Sequence, residues 1–160
     1  MKILVLGIGN TLLSDEGAGV AAMQALRAQL APRQDIEFLD GGTLSFTLAV
    51  PIAACDALVV FDAAMLDGPP GTFAAFEGET MDRFLGEHRR FSVHEVGLLD
   101  LMSMARLAGD WPARRCLVAV KPARLDWGET LTPEVAAALP AMCAAATVQI
   151  GAWRRQAGLT

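Results

Sequence analysis

The residues best suited to do chemistry in this chain are acids that close apolar runs, together with two histidines. Asp15 and Glu16 follow a Gly7-Ile8-Gly9 turn after the run Lys2 to Gly7. Asp40 closes Ile36 to Leu39 in Asp40-Gly41-Gly42-Thr43, and Asp62 closes Ala57 to Phe61 in Phe61-Asp62-Ala63. His94 stands just before a long apolar segment, whereas His88 sits in the charged stretch Gly86-Glu87-His88-Arg89-Arg90 and reads as solvated. Glu16, Asp62 and His94 offer two carboxylates and an imidazole, a donor set that suits a divalent ion such as nickel, zinc or manganese with positions left open. Taken singly, each acid also reads as a loop cap, since Asp after a strand commonly fixes the next helix. His94 by itself reads equally as a satisfied structural histidine.

Other chemistries fit less well. Gly7-Ile8-Gly9 begins like a dinucleotide fingerprint, but the third glycine would fall on Leu12, and Asp15 and Glu16 occupy the place where pyrophosphate would meet a helix N-terminus. No Gly-x-x-x-x-Gly-Lys-Ser/Thr loop occurs, so no nucleotide cofactor is expected, and a flavodoxin-like redox domain is disfavoured by the same acids. A serine hydrolase would need a Gly-x-Ser-x-Gly elbow, which is missing. Cys55 or Ser92 beside His94 is conceivable in space, although nothing local activates either. Cys55, Cys116 and Cys143 are widely spaced and odd in number, which gives no disulfide framework and no Cys-x-x-Cys motif; all three read as small buried apolar residues.

The elements that must position these groups alternate. Lys2 to Gly7, Ile36 to Leu39, Ala57 to Phe61 and Cys116 to Val120 have the composition of strands buried on both faces. Gly17 to Leu30, closed by Pro32, has a helical stripe, and Thr43 to Ala54 is helical in spacing with Pro51 expected to kink or restart it. Thr72 to Glu77 reads as a strand too close to Phe61 for a helical crossover, hence antiparallel. Glu79 to Gly86 and Glu95 to Ala108 read as helices. Thr132-Pro133-Glu134 announces a last helix, with Thr132 as N-cap, running to Arg155 with a bend at Pro140. The expected fold is a single domain over residues 1–160, a three-layer α/β/α sandwich with a mostly parallel five-stranded sheet and one antiparallel strand. In such sheets ligands gather beyond the carboxyl ends of the strands, where chain order reverses. If the second and third strands flank the first, Glu16 and Asp62 straddle that point.

At 160 residues the chain can bury roughly two thirds of its unfolded surface around one core. A formal net charge of −5 disfavours sequence-independent nucleic-acid binding, which needs clustered cations. Hydrophobic residues make up 53% of the chain, but the apolar runs are strand-length and no small-residue cleavage site follows the first one. The expectation is a cytoplasmic chain that does not span a membrane.

Four motifs together resemble the nickel-iron hydrogenase maturation proteases: Gly7-Ile8-Gly9-Asn10-Thr11-Leu12 with Asp15-Glu16-Gly17 and Gly19-Val20, then Asp40-Gly41-Gly42-Thr43, Phe61-Asp62-Ala63 and Ser92-x-His94. Order and spacing agree over essentially the whole chain. The resemblance implies a metal-reading endopeptidase, grouped with aspartic-type enzymes, that removes a C-terminal peptide from the hydrogenase large-subunit precursor. It implies that Glu16, Asp62 and His94 are both the metal ligands and the catalytic groups, and that the nickel is supplied by the precursor. The partner is then that precursor, with no nucleic acid or membrane involved, and a monomer is the simpler expectation. Ser45, where glycine is common, and Lys121-Pro122, in place of Gln-Pro, depart from the family pattern at loop ends and bear on partner choice. Asp40 is expected to be structural or substrate-recognising, and Asp15 is a weak candidate for general base. The alternative reading is a non-enzymatic metal-binding chaperone of the large subunit.

Overall fold

The computed structural model of the protein describes residues 1–42, 46–87 and 93–159, with side chains for all of these but 93–97. Five strands, β1 (Ile3–Ile8), β2 (Ile36–Gly42), β3 (Ala57–Ala63), β4 (Phe73–Glu77) and β5 (Arg114–Val120), form one sheet in the order β2-β1-β3-β5-β4. β1 pairs in parallel with both β2 and β3, and β3 with β5, while β4 runs antiparallel to β5. The helices are α1 (Ala18–Gln29), α2 (Ala49–Ala53), α3 (Glu79–Glu87), α4 (Val93–Ala108) and α5 (Pro133–Gln156).

Strand alternation sorts the core into two layers. Ile3, Val5, Val59, Phe61, Cys116 and Val118 point toward α1 and α5, where Met23, Leu26, Met142 and Trp153 meet them. Leu4, Leu6, Leu58, Val60 and Leu117 point the other way, onto Ile52 of α2, Phe84 and Leu85 of α3 and Leu98 and Met102 of α4. This is the expected sandwich. Because β2 and β3 flank β1, the chain order reverses at β1, and its carboxyl end opens on the switch point.

Local details depart from expectation at some positions and meet it at others. The segment read as one helix from Gly17 begins earlier, with a 3-10 turn at Ser14–Gly17 that holds Asp15 and Glu16 and leads into α1. At Pro51 the helix restarts: a 3-10 turn at Phe46–Leu48 gives way to α2 at Ala49, and Pro51 lies in its first turn, where the missing N–H has no intrahelical partner to lose. Part of the expected Thr43 to Ala54 helix, residues 43–45, lies outside the described residues. Thr132 occupies the N-cap of α5 but makes no side-chain cap bond, for a reason given below. The helix is continuous through Pro140. α5 is long and apolar enough to cross a bilayer, yet Val135, Met142, Cys143, Ala146, Ile150 and Trp153 along it are buried in the α1/α5 layer, the signature of a core helix.

Candidate metal-reading site

Glycines bring the first acid to the site. Gly9 has φ +130°, and a Cβ there would lie 1.7 Å from the carbonyl oxygen of Glu16, so the strand end and the 3-10 turn touch backbone to backbone. At Gly19 an added Cβ would lie 2.3 Å from the carbonyl oxygens of both Ile8 and Phe61. The start of α1 is thereby wedged between the carboxyl ends of β1 and β3. Glu16 is half-buried on this wedge, and Asp62 follows Phe61 at the end of β3. Asp62 is 5% exposed, and its Oδ1 accepts the Ala63 N–H at 2.8 Å.

α4 brings the histidine toward the same edge. Arg106, in the last turn of α4, and Arg115, near the start of β5, both bond Asp82, which fixes the C-terminus of α4 at the amino edge of the sheet. Sixteen residues of helix are about 24 Å long, enough to carry the first turn of α4, and His94 within it, across to the carboxyl edge. Alternation along β3 puts Asp62 on the side of Leu58 and Val60, which is the α4 side. The His94 side chain, with His88 and Ser92, lies outside what is described. Among the described residues no group of three His, Cys, Asp or Glu gathers as a metal cage. By chemical type alone, two carboxylates and an imidazole are donors that fit a borderline divalent ion.

Asp15 does something different from its neighbour. It is fully buried, and its carboxylate accepts four hydrogen bonds: from the N–H groups of Ala123 at 2.8 Å, Arg124 at 3.0 Å and Thr132 at 2.7 Å, and from the Thr132 hydroxyl at 2.8 Å. Burial pushes its pKa up, but the bonds from Thr132, Ala123 and Arg124 together outweigh it and hold the carboxyl below the ordinary 3.8. A carboxylate whose lone pairs are so occupied is no general base, which corrects that reading. It also explains Thr132, whose hydroxyl serves Asp15 instead of capping α5. Sequence reasoning missed this link because the partners lie more than a hundred residues away and three of the four donors are backbone N–H groups, of Ala123, Arg124 and Thr132, with no side-chain signal.

The remaining candidates sort by position. Asp40 is exposed and accepts the Gly42 N–H at 2.8 Å across the irregularity where β1 and β2 shift register, a turn-fixing role. Lys121 spans the β3–β4 turn, with its Nζ donating to the Gly68 carbonyl at 2.7 Å. Ser45 lies outside the described residues. Cys55 precedes β3 at the amino edge, a strand length of about 20 Å from the carboxyl edge that carries Asp62. Its thiol donates to the Ile52 carbonyl, and burial with the nearby Asp56 pushes its pKa up to about 11. All three cysteines are buried and unpaired in disulfides, as read from their spacing.

The chain is an α/β sandwich whose switch point carries Glu16 and Asp62, with the first turn of α4, which holds His94, directed to the same edge. The hydrogenase maturation protease family model matches residues 20–149. The chain is 36% identical over 160 residues to the hydrogenase 2 maturation protease of Escherichia coli, covering 99% of this chain and 94% of that one. It is 40% identical over 135 residues to the hydrogenase expression/formation protein HupD of Thiocapsa roseopersicina, and spans 61% of that longer relative. Among solved structures it superposes on the hydrogenase maturating endopeptidase HybD from E. coli with a TM-score of 0.86 at 34% identity, covering 99% and 94% of the two chains. It also matches the [NiFe] hydrogenase maturation protease HybD from Thermococcus kodakarensis, with a TM-score of 0.73 at 27% identity over 92% and 97% of the chains. The chain belongs to the hydrogenase maturation protease family, and is a peptidase.

Proposed function

We propose that this endopeptidase, which processes a hydrogenase large subunit, recognises its precursor through the nickel already inserted there, with Glu16, Asp62 and His94 as the protein's ligands. The observation that carries the reading is the glycine wedge, which seats the turn bearing Glu16 on the end of the strand bearing Asp62. The nickel is part of the substrate. Three protein donors leave positions open for precursor thiolates or water, so a filled precursor binds and an empty one does not. The carboxylates and imidazole hold the metal centre and thereby orient the precursor's C-terminal segment for hydrolysis. A chain with net charge −5 suits a protein substrate rather than nucleic acid. On this reading it acts as a cytoplasmic monomer, with no membrane partner.

The test is intact mass of precursor after incubation with the purified protein. Nickel-loaded precursor is shortened by one C-terminal peptide and nickel-free precursor stays whole; equal cleavage of both defeats metal reading. Glu16→Gln, Asp62→Asn and His94→Ala each abolish cleavage while circular dichroism stays native, and full activity in any of them removes that residue from the site. A chaperone that only escorts the large subunit would cut neither form.

A further inference from the structure

The bonds around Asp15 do more than close a loop. Ser14, beside it, is a non-glycine residue at φ +51°, a backbone state that persists only when its surroundings enforce it. Those surroundings are the loop between β5 and α5. Ser14 N–H donates to the Gly128 carbonyl at 2.7 Å, Gly128 N–H to the Leu12 carbonyl at 3.0 Å, and Asp15 N–H to the Arg124 carbonyl at 3.1 Å. The Ser14 hydroxyl donates to the Asp126 carbonyl at 2.8 Å. The Asp15 carboxylate then takes the N–H groups of residues 123, 124 and 132 and the Thr132 hydroxyl. The residue immediately before Glu16 is thus tied to both ends of the β5–α5 loop, while Gly9 blocks Glu16 from behind.

We propose that Asp15 is a positioning residue for the cleavage reaction: its carboxylate locks the turn Ser14–Gly17 onto the β5–α5 loop and so fixes where Glu16 presents its own carboxylate. The proposal rests on Glu16 being a site residue. Displacements of an ångström in such a group cost about a hundredfold in rate.

The experiment compares Asp15→Asn, Thr132→Val, Thr132→Ser and Glu16→Gln at a temperature where melting curves show each variant folded, with kcat and KM measured on nickel-loaded precursor. Asp15→Asn loses about a hundredfold in kcat. Thr132→Val, which removes one of the four bonds, loses a smaller factor, and Thr132→Ser, which keeps the hydroxyl, restores kcat. Amide exchange at residues 123, 124 and 132 accelerates in the same order. If Asp15→Asn does not fold, the Val and Ser pair carries the test. Wild-type kcat in folded Asp15→Asn or Thr132→Val, with Glu16→Gln inactive, overturns the proposal alone. A fully active Glu16→Gln overturns the site reading instead, and leaves Asp15 with nothing to position.

Discussion

Asp15 and Asp82 are both carboxylates tucked against the same sheet, one at each edge, and they are held by opposite means. At the amino edge Asp82 is gripped by guanidinium groups: Arg115 donates from Nε to Oδ1 at 2.9 Å and from Nη2 to Oδ2 at 2.6 Å, and Arg106 adds a third bond. Arg115 also donates to the Pro112 and Ala113 carbonyls and lies over the Trp111 ring. At the carboxyl edge all four donors to Asp15 are neutral backbone and hydroxyl groups. Cations at Asp82 cancel its charge and join α3, α4 and β5. Neutral donors at Asp15 fix geometry without bringing a cation into that carboxylate's bonding shell, so the edge that carries Glu16 keeps its negative charge. The amino edge is built for cohesion, and the carboxyl edge for placement.

Substitution at Gly9 tests the placement side most severely. Gly9→Ala puts a methyl group against the Glu16 carbonyl in a backbone region that L residues avoid. It should cost roughly 4 kcal/mol of stability and lower the melting temperature by about 10 °C. Cleavage at a temperature where the variant is still folded should also be lost. A folded Gly9→Ala with wild-type cleavage would mean that the glycine contact does not place Glu16.

Asp82→Ala is the counterpart at the other edge. It strands Arg115 with half its bonds unmade and should cost roughly 3 kcal/mol by urea unfolding. Cleavage per folded molecule should be unchanged. Loss of cleavage in excess of the folded fraction would erase the distinction between the edges.

The two edges also differ in how far the sequence disclosed them. Strand and helix alternation and the antiparallel β4 were readable because burial on both faces leaves continuous Val, Ile and Leu runs and because Phe61 and Thr72 are too close for a crossover; the flanking of β1 by β2 and β3 entered only as a condition, since strand order is written in no single run. Asp62 stood out as an acid closing such a run, and Glu16 as an acid just beyond a glycine turn that follows one. The role of Asp15 was not, since its partners are set by the path of the β5–α5 loop and not by any periodicity. Thr132-Pro133-Glu134 predicts a capped helix start, and the helix does start there, but the hydroxyl had a stronger claim on it from a buried carboxylate. The Asp82 cluster was hidden for the same reason: Asp82, Arg106 and Arg115 stand on three different elements.

Acid provides a gentler comparison. Folding holds the Asp15 carboxyl below its ordinary 3.8, so as the pH drops the unfolded chain takes up that proton first. The stability it contributes is complete above that value and fades as the pH falls through the native pKa. Urea unfolding at pH 7 and pH 3 should therefore show a smaller acid loss in Asp15→Asn than in the wild type, although the variant starts lower at pH 7. Parallel curves for the two proteins would show that the four bonds do not favour the charged form.

The smallest effect lies in the thiols, where the shift has the opposite sign. Burial, reinforced by Glu77, pushes the Cys116 thiol up to about 12, and burial with Asp56 pushes Cys55 up to about 11, against an ordinary 9.0. Both acids belong to the amino side of the sheet, so that edge suppresses thiolate where the carboxyl edge sustains carboxylate. Because the native pKa values are raised, the thiols' contribution to stability is complete below 9.0 and is lost as the pH rises toward the native values. At pH 8 iodoacetamide should leave Cys55, Cys116 and Cys143 unlabelled in the native protein and alkylate all three in urea, with cleavage unaffected by the native treatment. Rapid native labelling of Cys55 accompanied by loss of cleavage would restore a thiol to the chemistry and break the assignment of all reactive groups to the carboxyl edge.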